Sequence, residues 1–245
     1  MSPSEKIKFI SNWIKSYIDK MPVKAEALVI GISGGIDSSV SSTLSAITGI
    51  KTIVLTMPIK QKENQHDLSL KHQKWLVDKF KNVEAHTINL DKLFDSFSST
   101  LNNFDNEHGF ANSRARLRMT TLYQVAAANK GIVVGTGNKV EDFGVGFYTK
   151  YGDGGVDISP IADCNKTEVW ELGKELGILR EIIDAPPTDG LWDDGRTDEG
   201  QLGLKYKDLE EAMINSDSPH RAEYEKIRKQ NLHKMEPIPV CKIPS

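Results

Sequence analysis

The sequence predicts an α/β fold, an open parallel sheet with helices on both faces, and three observations point to it. Ala27-Leu28-Val29-Ile30-Gly31-Ile32 reads as a short buried strand that runs through a glycine and serine turn into a helix carrying Val40, Leu44 and Ile47. Thr52-Ile53-Val54-Leu55-Thr56 follows at once as a second strand, closed by Pro58. Further on, Gly131-Ile132-Val133-Val134 is another buried strand that ends in a glycine turn. Strand, helix and strand in such close order predict parallel pairing through right-handed crossovers.

Composition narrows the classes. The 245 residues suffice for one large domain with a well-buried core, and no break in composition divides them, so 1–245 is expected to be a single domain. Charged residues make up 27% and apolar ones 38%, with a formal net charge of −3. That mild acidity argues against a nucleic-acid partner, which calls for a basic surface. No apolar run is long enough to span a membrane, and the first residues open a polar helix rather than an export signal. Cys164 and Cys241 are too few and too far apart for a disulfide framework or a cysteine metal cluster, which fits a cytoplasmic location.

Taken in order, Pro3 or Ser4 starts a helix with Ile7, Ile10, Ile14, Tyr17 and Ile18 on one stripe, covering the sheet or a partner subunit, and Pro22 stops it. After the second strand, the backbone of Met57-Pro58-Ile59-Lys60-Gln61 lies where a sheet of this kind places its ligand, and Gln61 is a candidate adenine contact. A polar helix is expected from Asn64 to Phe80, then a strand from Val83 to Ile88, then a helix with Leu93, Phe94, Phe97, Leu101 and Phe104 in the core. His66, His72 and His86 lack ligand spacing and read as structural or solvent-facing. Asn112 or Ser113 caps a helix that carries Arg114 and Arg118 on one face and Arg116 on another. These arginines serve either as a solvated face or as bidentate readers of phosphate or carboxylate. Glu141, just beyond the Gly131 strand, is either a helix-capping acid or a second metal ligand. Phe147 to Asp157 is too rich in glycine for strand or helix and suits a ligand loop. The Asp189–Gly200 stretch reads as an acidic segment that closes over a site or as plain surface, and His220 to Asn231 as a last charged helix.

The chemistry concentrates at Ser33-Gly34-Gly35-Ile36-Asp37-Ser38. A small, donor-rich loop opening a helix offers unpaired N–H groups to a phosphate. Asp37 would repel a bare phosphate, so its presence implies Mg²⁺ between the two. The loop lacks the Gly-Lys-Ser/Thr ending of kinases and GTPases. It resembles the pyrophosphate loop of the adenylating ATP pyrophosphatases, a superfamily with the adenine nucleotide alpha-hydrolase-like fold. Within that group, Ala115-Arg116-Leu117-Arg118-Met119 and Thr149-Lys150-Tyr151-Gly152-Asp153-Gly154-Gly155-Val156-Asp157 are similar to motifs of the NAD synthetases, a likeness that spans about residues 5 to 240.

The resemblance implies a set of roles. Gly31, Ile32, Ser33, Gly34, Gly35, Ile36, Asp37 and Ser38 would bind ATP, the co-substrate, together with Thr136, Lys166 and Thr188. Asp37 and Glu141 would hold Mg²⁺, with Asp37 and Lys166 as the catalytic pair. Arg116, Lys150, Asp157, His233 and Lys234 would contact deamido-NAD, and Phe147 would stack on its pyridine ring. The implied reaction amidates deamido-NAD with ammonia through an adenylate, giving NAD, AMP and pyrophosphate, in a homodimer. Two departures stand out: one extra residue between Glu141 and Phe147, and Met235-Glu236 where arginine often follows the His-Lys pair. The alternatives are another synthetase of the superfamily, such as one half of a split GMP synthetase, or a nucleotide sensor on the same scaffold.

Overall fold

The computed structural model describes residues 1–60, 63–188 and 197–244, and the side chains of 63–65 are not described. Gln61 and the Asp189–Arg196 part of the acidic stretch therefore lie outside the described residues. Within them, strands β1 (Ala27–Gly31), β2 (Lys51–Thr56), β3 (Val83–Thr87) and β4 (Gly131–Val133) form one sheet in the order β3-β2-β1-β4. Every pairing is parallel. Val134 extends the β4 edge through a parallel bridge to Ile158. β1 has β2 on one side and β4, from far down the chain, on the other. That reversal of strand order opens a crevice at the carboxyl ends of β1 and β4.

The helices in chain order are α1 (Pro3–Lys20), α2 (Ile36–Ile47), α3 (Glu63–Lys79), α4 (Asp91–Thr100) and α5 (Glu107–Ala128). After β4 come α6 (Lys166–Leu176), α7 (Arg180–Ile183), α8 (Asp198–Leu202), α9 (Tyr206–Ile214) and α10 (Arg221–Met235). Strand β1 explains why both faces need covering. Leu28 and Ile30 enter one core with α1, α2, α3 and α6, while Ala27 and Val29 enter a second with α4 and α5. A strand buried on both sides reads as an unbroken apolar run, which is how its sequence looks. A third cluster joins Val140 and Val145 to Leu202, Tyr206, Leu209, Ala212 and Tyr224, packing α8, α9 and α10 against a π-helical turn at Lys139–Val145. Among the described residues, no helix is long and apolar enough to cross a membrane.

Several local expectations are corrected. Helix α5 starts at Glu107, not at 113 or 114, because Asn106 caps it by accepting from Gly109 N–H at 2.7 Å. Asn112 and Ser113 instead bond back to the carbonyls of His108 and Gly109, which absorbs them into the helix. Helix α10 continues past Asn231 and carries His233 and Lys234 in its last turn. Phe94 is buried as expected, but Leu93 and Phe104 are 50% and 78% exposed. On α1, Ile10, Ile14 and Ile18 form the buried stripe, whereas Tyr17 joins Phe9 and Trp13 on the exposed face.

Candidate active site

The Ser33–Ser38 loop follows β1 and forms the floor of the crevice. Gly34 takes a φ of 91°, a left-handed conformation open mainly to glycine, and so turns the chain toward α2. Ser33 and Ser38 brace the turn: Ser33 N–H donates to Ser38 Oγ at 3.2 Å, and Gly35 N–H donates to Ser33 Oγ at 3.2 Å. Gly35 is the N-cap of α2 and has no side chain to cap it. The first-turn N–H groups and the positive end of the helix are thus left to an anion.

Asp37, in the first turn of α2, meets Lys166, the first residue of α6. Lys166 Nζ donates to Asp37 Oδ2 at 2.5 Å and to Glu141 Oε1 at 2.9 Å. Helix α6 reaches this close because it crosses α2 at Gly173, where a Cβ would stand 2.6 Å from Ile36 Cδ1. Asn138 ties the two acids together. Its Nδ2 donates to Asp37 Oδ1 at 3.0 Å, and its Oδ1 accepts from Val140 and Glu141 N–H, each at 3.1 Å. Tyr206 on α9 donates to Glu141 Oε1 at 2.5 Å.

Lys166 is 1% exposed. Burial opposes its charge, but Asp37 and Glu141 outweigh burial and hold it above the ordinary lysine range. Glu141 is likewise buried, yet Lys166 and Tyr206 keep its carboxyl below the usual range. Burial raises Asp37, which shares that single ammonium with Glu141. Two carboxylates and one lysine leave a net negative charge set with hard oxygen donors beside a phosphate cradle. Among the described residues, no group of three or more His, Cys, Asp and Glu side chains could hold a metal. Mg²⁺ normally takes only one or two protein carboxylates and completes its shell with phosphate oxygens and water. The residues present therefore fit a Mg²⁺ that arrives with a phosphate ligand.

A cavity of about 650 Å³ extends from this cluster. Its walls include Gly31 to Ser38, Thr136, Glu141, Lys166 and Thr188, so the structure brings the expected ATP residues together. It also includes Arg118 and Asp198, one of the candidate phosphate readers and one acid of the 189–200 stretch, and Met119, Asp142 and Asp153, which have no individual role assigned from sequence. Arg118 Nε is anchored on the Met57 carbonyl at 3.0 Å. Burial, with Glu141, Asp153 and Asp37 nearby, pushes the Asp142 carboxyl up to about 8. Phe147 lines the same wall.

Arg116, Lys150, Asp157, His233 and Lys234 lie outside these walls. Four of the five have structural partners. Arg116 Nε donates to the Lys150 carbonyl at 3.3 Å, and Lys150 Nζ lies 5.6 Å from the centroid of the Tyr151 ring. Asp157 accepts from Val133 N–H at 2.7 Å and from Tyr123 OH at 3.0 Å. Lys234 Nζ donates to the Tyr148 carbonyl at 2.6 Å while Tyr148 OH donates to the Lys234 carbonyl at 2.8 Å. His233 is exposed. Asn138 and Tyr206 were the residues least visible from sequence. An asparagine after a glycine turn is an ordinary loop residue, and no spacing links a tyrosine on α9 to Glu141.

Known proteins resemble this chain over most of its length. A profile of the family described as NAD synthase matches residues 6–243. An NH3-dependent NAD+ synthetase of Carboxydothermus hydrogenoformans is 36% identical over 219 residues, 87% of this chain and 86% of that protein. The protein of the same name from Mesoplasma florum is 36% identical over 240 residues, 96% of this chain and 93% of its own. Among solved structures, an NMN synthetase from Francisella tularensis superposes with a TM-score of 0.90 at 31% identity, over 99% of this chain and 100% of that one.

Proposed function

The chain belongs to the NAD synthase family, and from that premise we propose that it amidates the carboxylate of a nicotinate nucleotide with ammonia, using ATP. The observation that carries the reading is the Asp37–Lys166–Glu141 cluster at the mouth of an uncapped helix. The substrate carboxylate attacks the α-phosphorus of ATP, and pyrophosphate leaves along the Ser33–Ser38 loop. Ammonia then adds to the acyl adenylate, a proton is lost, and AMP departs. Loop N–H groups and the Ser33 and Ser38 hydroxyls receive the phosphate oxygens. Lys166 supplies a buried positive charge on the cavity wall, and Thr136 and Thr188 line the same cavity. Asp37 and Glu141 would hold Mg²⁺, which when bound offsets the triphosphate charge and polarises its oxygens. No side chain has to form a covalent bond, so positioning and electrostatics supply the catalysis.

Deamido-NAD is the acid implied by the family, with Arg116, Lys150, Asp157, His233 and Lys234 as its contacts. A second reading, nicotinate mononucleotide, has its own support. The F. tularensis protein bears the name NMN synthetase, and amidation to that product starts from the mononucleotide acid. Here, too, four of the five proposed dinucleotide contacts are engaged within the chain. The test supplies ATP, Mg²⁺ and ammonium with either acid and compares kcat/KM by product chromatography. NAD from deamido-NAD at the higher kcat/KM supports the first reading, and preferential NMN formation supports the second. Conversion of xanthosine monophosphate instead would make the protein a GMP synthetase. We take residues 1–245 as one synthetase domain that works as a cytoplasmic homodimer without nucleic-acid or membrane partners. The exposed aromatic stripe of α1 supports self-association, and the net charge of −3 argues against a nucleic-acid partner.

A further inference from the structure

Glu141 is aimed from outside its own segment. It projects from the π-helical turn at Lys139–Val145, whereas the hydroxyl on its Oε1 comes from Tyr206, which opens α9. Tyr206 is 1% exposed and fixed on every side. Its ring meets Trp170 edge to face at 5.9 Å and 87°, and Lys166 Nζ lies 4.8 Å from its centroid. Its N–H donates to Glu199 Oε1 at 3.0 Å, and its hydroxyl also lies 3.3 Å from Asp198 Oδ2. A phenol locked in this way cannot follow a carboxylate that swings; together with Lys166 Nζ, which donates to the same Oε1 at 2.9 Å, it sets where the carboxylate sits.

We propose that Tyr206 is a positioning residue for the adenylation site, holding Glu141 by Oε1 so that Oε2 is the oxygen offered to the cavity. Asp198 keeps the hydroxyl between two acids, and Lys166 beneath the ring shares the same aromatic cage. Tyr206 touches no reactant in this role and acts only through Glu141. The inference rests on the amidation reading for its kinetic consequence. Its binding consequence, a weaker hold on the metal–ATP pair, follows from geometry alone.

Tyr206→Phe keeps the ring and removes only the hydroxyl. Relative to the wild type, kcat should fall about tenfold or more, with KM for the acid substrate little changed. Mn²⁺ affinity in the presence of a non-hydrolysable ATP analogue, read by electron paramagnetic resonance, should weaken by about the same factor. Trp170→Phe serves as a packing control, since it disturbs the ring's neighbour and leaves the hydroxyl in place; its Mn²⁺ affinity should stay near that of the wild type. Unaltered kcat and Mn²⁺ affinity in Tyr206→Phe would overturn the proposal. So would a loss of activity that tracks a loss of thermal stability equally in both variants. If the wild type shows no acid-dependent ATP–pyrophosphate exchange, the amidation reading fails, and the Mn²⁺ comparison still decides the role of Tyr206.

Discussion

Asp37 and Lys166 meet across 129 positions of sequence, and their pairing makes the site sensitive to single substitutions. Lys166→Met would leave two buried carboxylates without their common cation. Breaking a buried pair from one side costs about 3–5 kcal/mol, so urea unfolding should show a loss of that order. A loss under about 1 kcal/mol would mean that the pair is not buried as described. Asp37→Asn and Glu141→Gln should each slow adenylation by about a hundredfold or more while circular dichroism stays unchanged. Near-wild-type turnover at limiting Mg²⁺ would remove that residue from the metal site. His72 gives a prediction of another kind. It is fully buried, its Nε2 lies 3.0 Å from Ser42 Oγ, and burial lowers it to about 4 from an ordinary 6.5. Because the unfolded chain takes up this proton first, stability is whole above pH 6.5 and is lost as pH falls toward 4. Between pH 7.5 and pH 5, the wild type should lose about 2 kcal/mol more than His72→Gln in urea unfolding. Equal losses in the two proteins would refute the assignment.

At the scale of elements, the approach of α6 to α2 decides whether Lys166 reaches its partners. Gly173→Val should push α6 away from Ile36, destabilise the fold by about 1–3 kcal/mol and depress activity further than stability alone explains. Ile36→Val in the same chain should recover part of both, and no recovery in a double-mutant cycle would show that the two positions do not share the contact. Periodicity made these elements legible. The apolar run at 27–32, the glycine turn and the helix behind it are local patterns. The start of α5 was hidden because Asn112 and Ser113 look like caps until their side chains are seen bonding back into the helix. Asp37, Glu141, Lys166 and the serine loop could be found through a motif. The roles of Tyr206 and Asn138 could not, because they lie in contacts between segments far apart in sequence. The acid-substrate residues were named through resemblance, and their intramolecular partners are visible only in three dimensions.

For the molecule as a whole, self-association is the open property with the clearest surface signal. Phe9, Trp13 and Tyr17 stand on one exposed face of α1, 62%, 40% and 42% accessible, with Trp13 and Tyr17 rings 5.9 Å apart. An obligate dimer would bury well over about 1,600 Å² in total, with such residues near its centre. Sedimentation equilibrium should give twice the chain mass of 27.3 kDa, with or without ATP and the acid substrate. Phe9→Ser with Trp13→Ser should shift it toward monomer at low concentration. A single-chain mass for the wild type under both conditions, with full activity at the same concentration, would show that each site is built from one subunit.

The clasp between Tyr148 and Lys234 also bears on how the protein is made. Helix α10 holds the wall around Glu141 from behind: Arg228 donates to the Phe143 and Gly144 carbonyls, Asn231 to Val145, and Lys234 to Tyr148. The sheet, the serine loop and Lys166 all precede α10 in the chain, and folding during synthesis proceeds from the amino terminus. A nascent chain can therefore assemble its phosphate cradle early, but the Glu141 wall waits for the last helix to leave the ribosome. Premature termination between residues 215 and 220 would yield a product that contains the cradle and lacks the α10 support behind its second carboxylate.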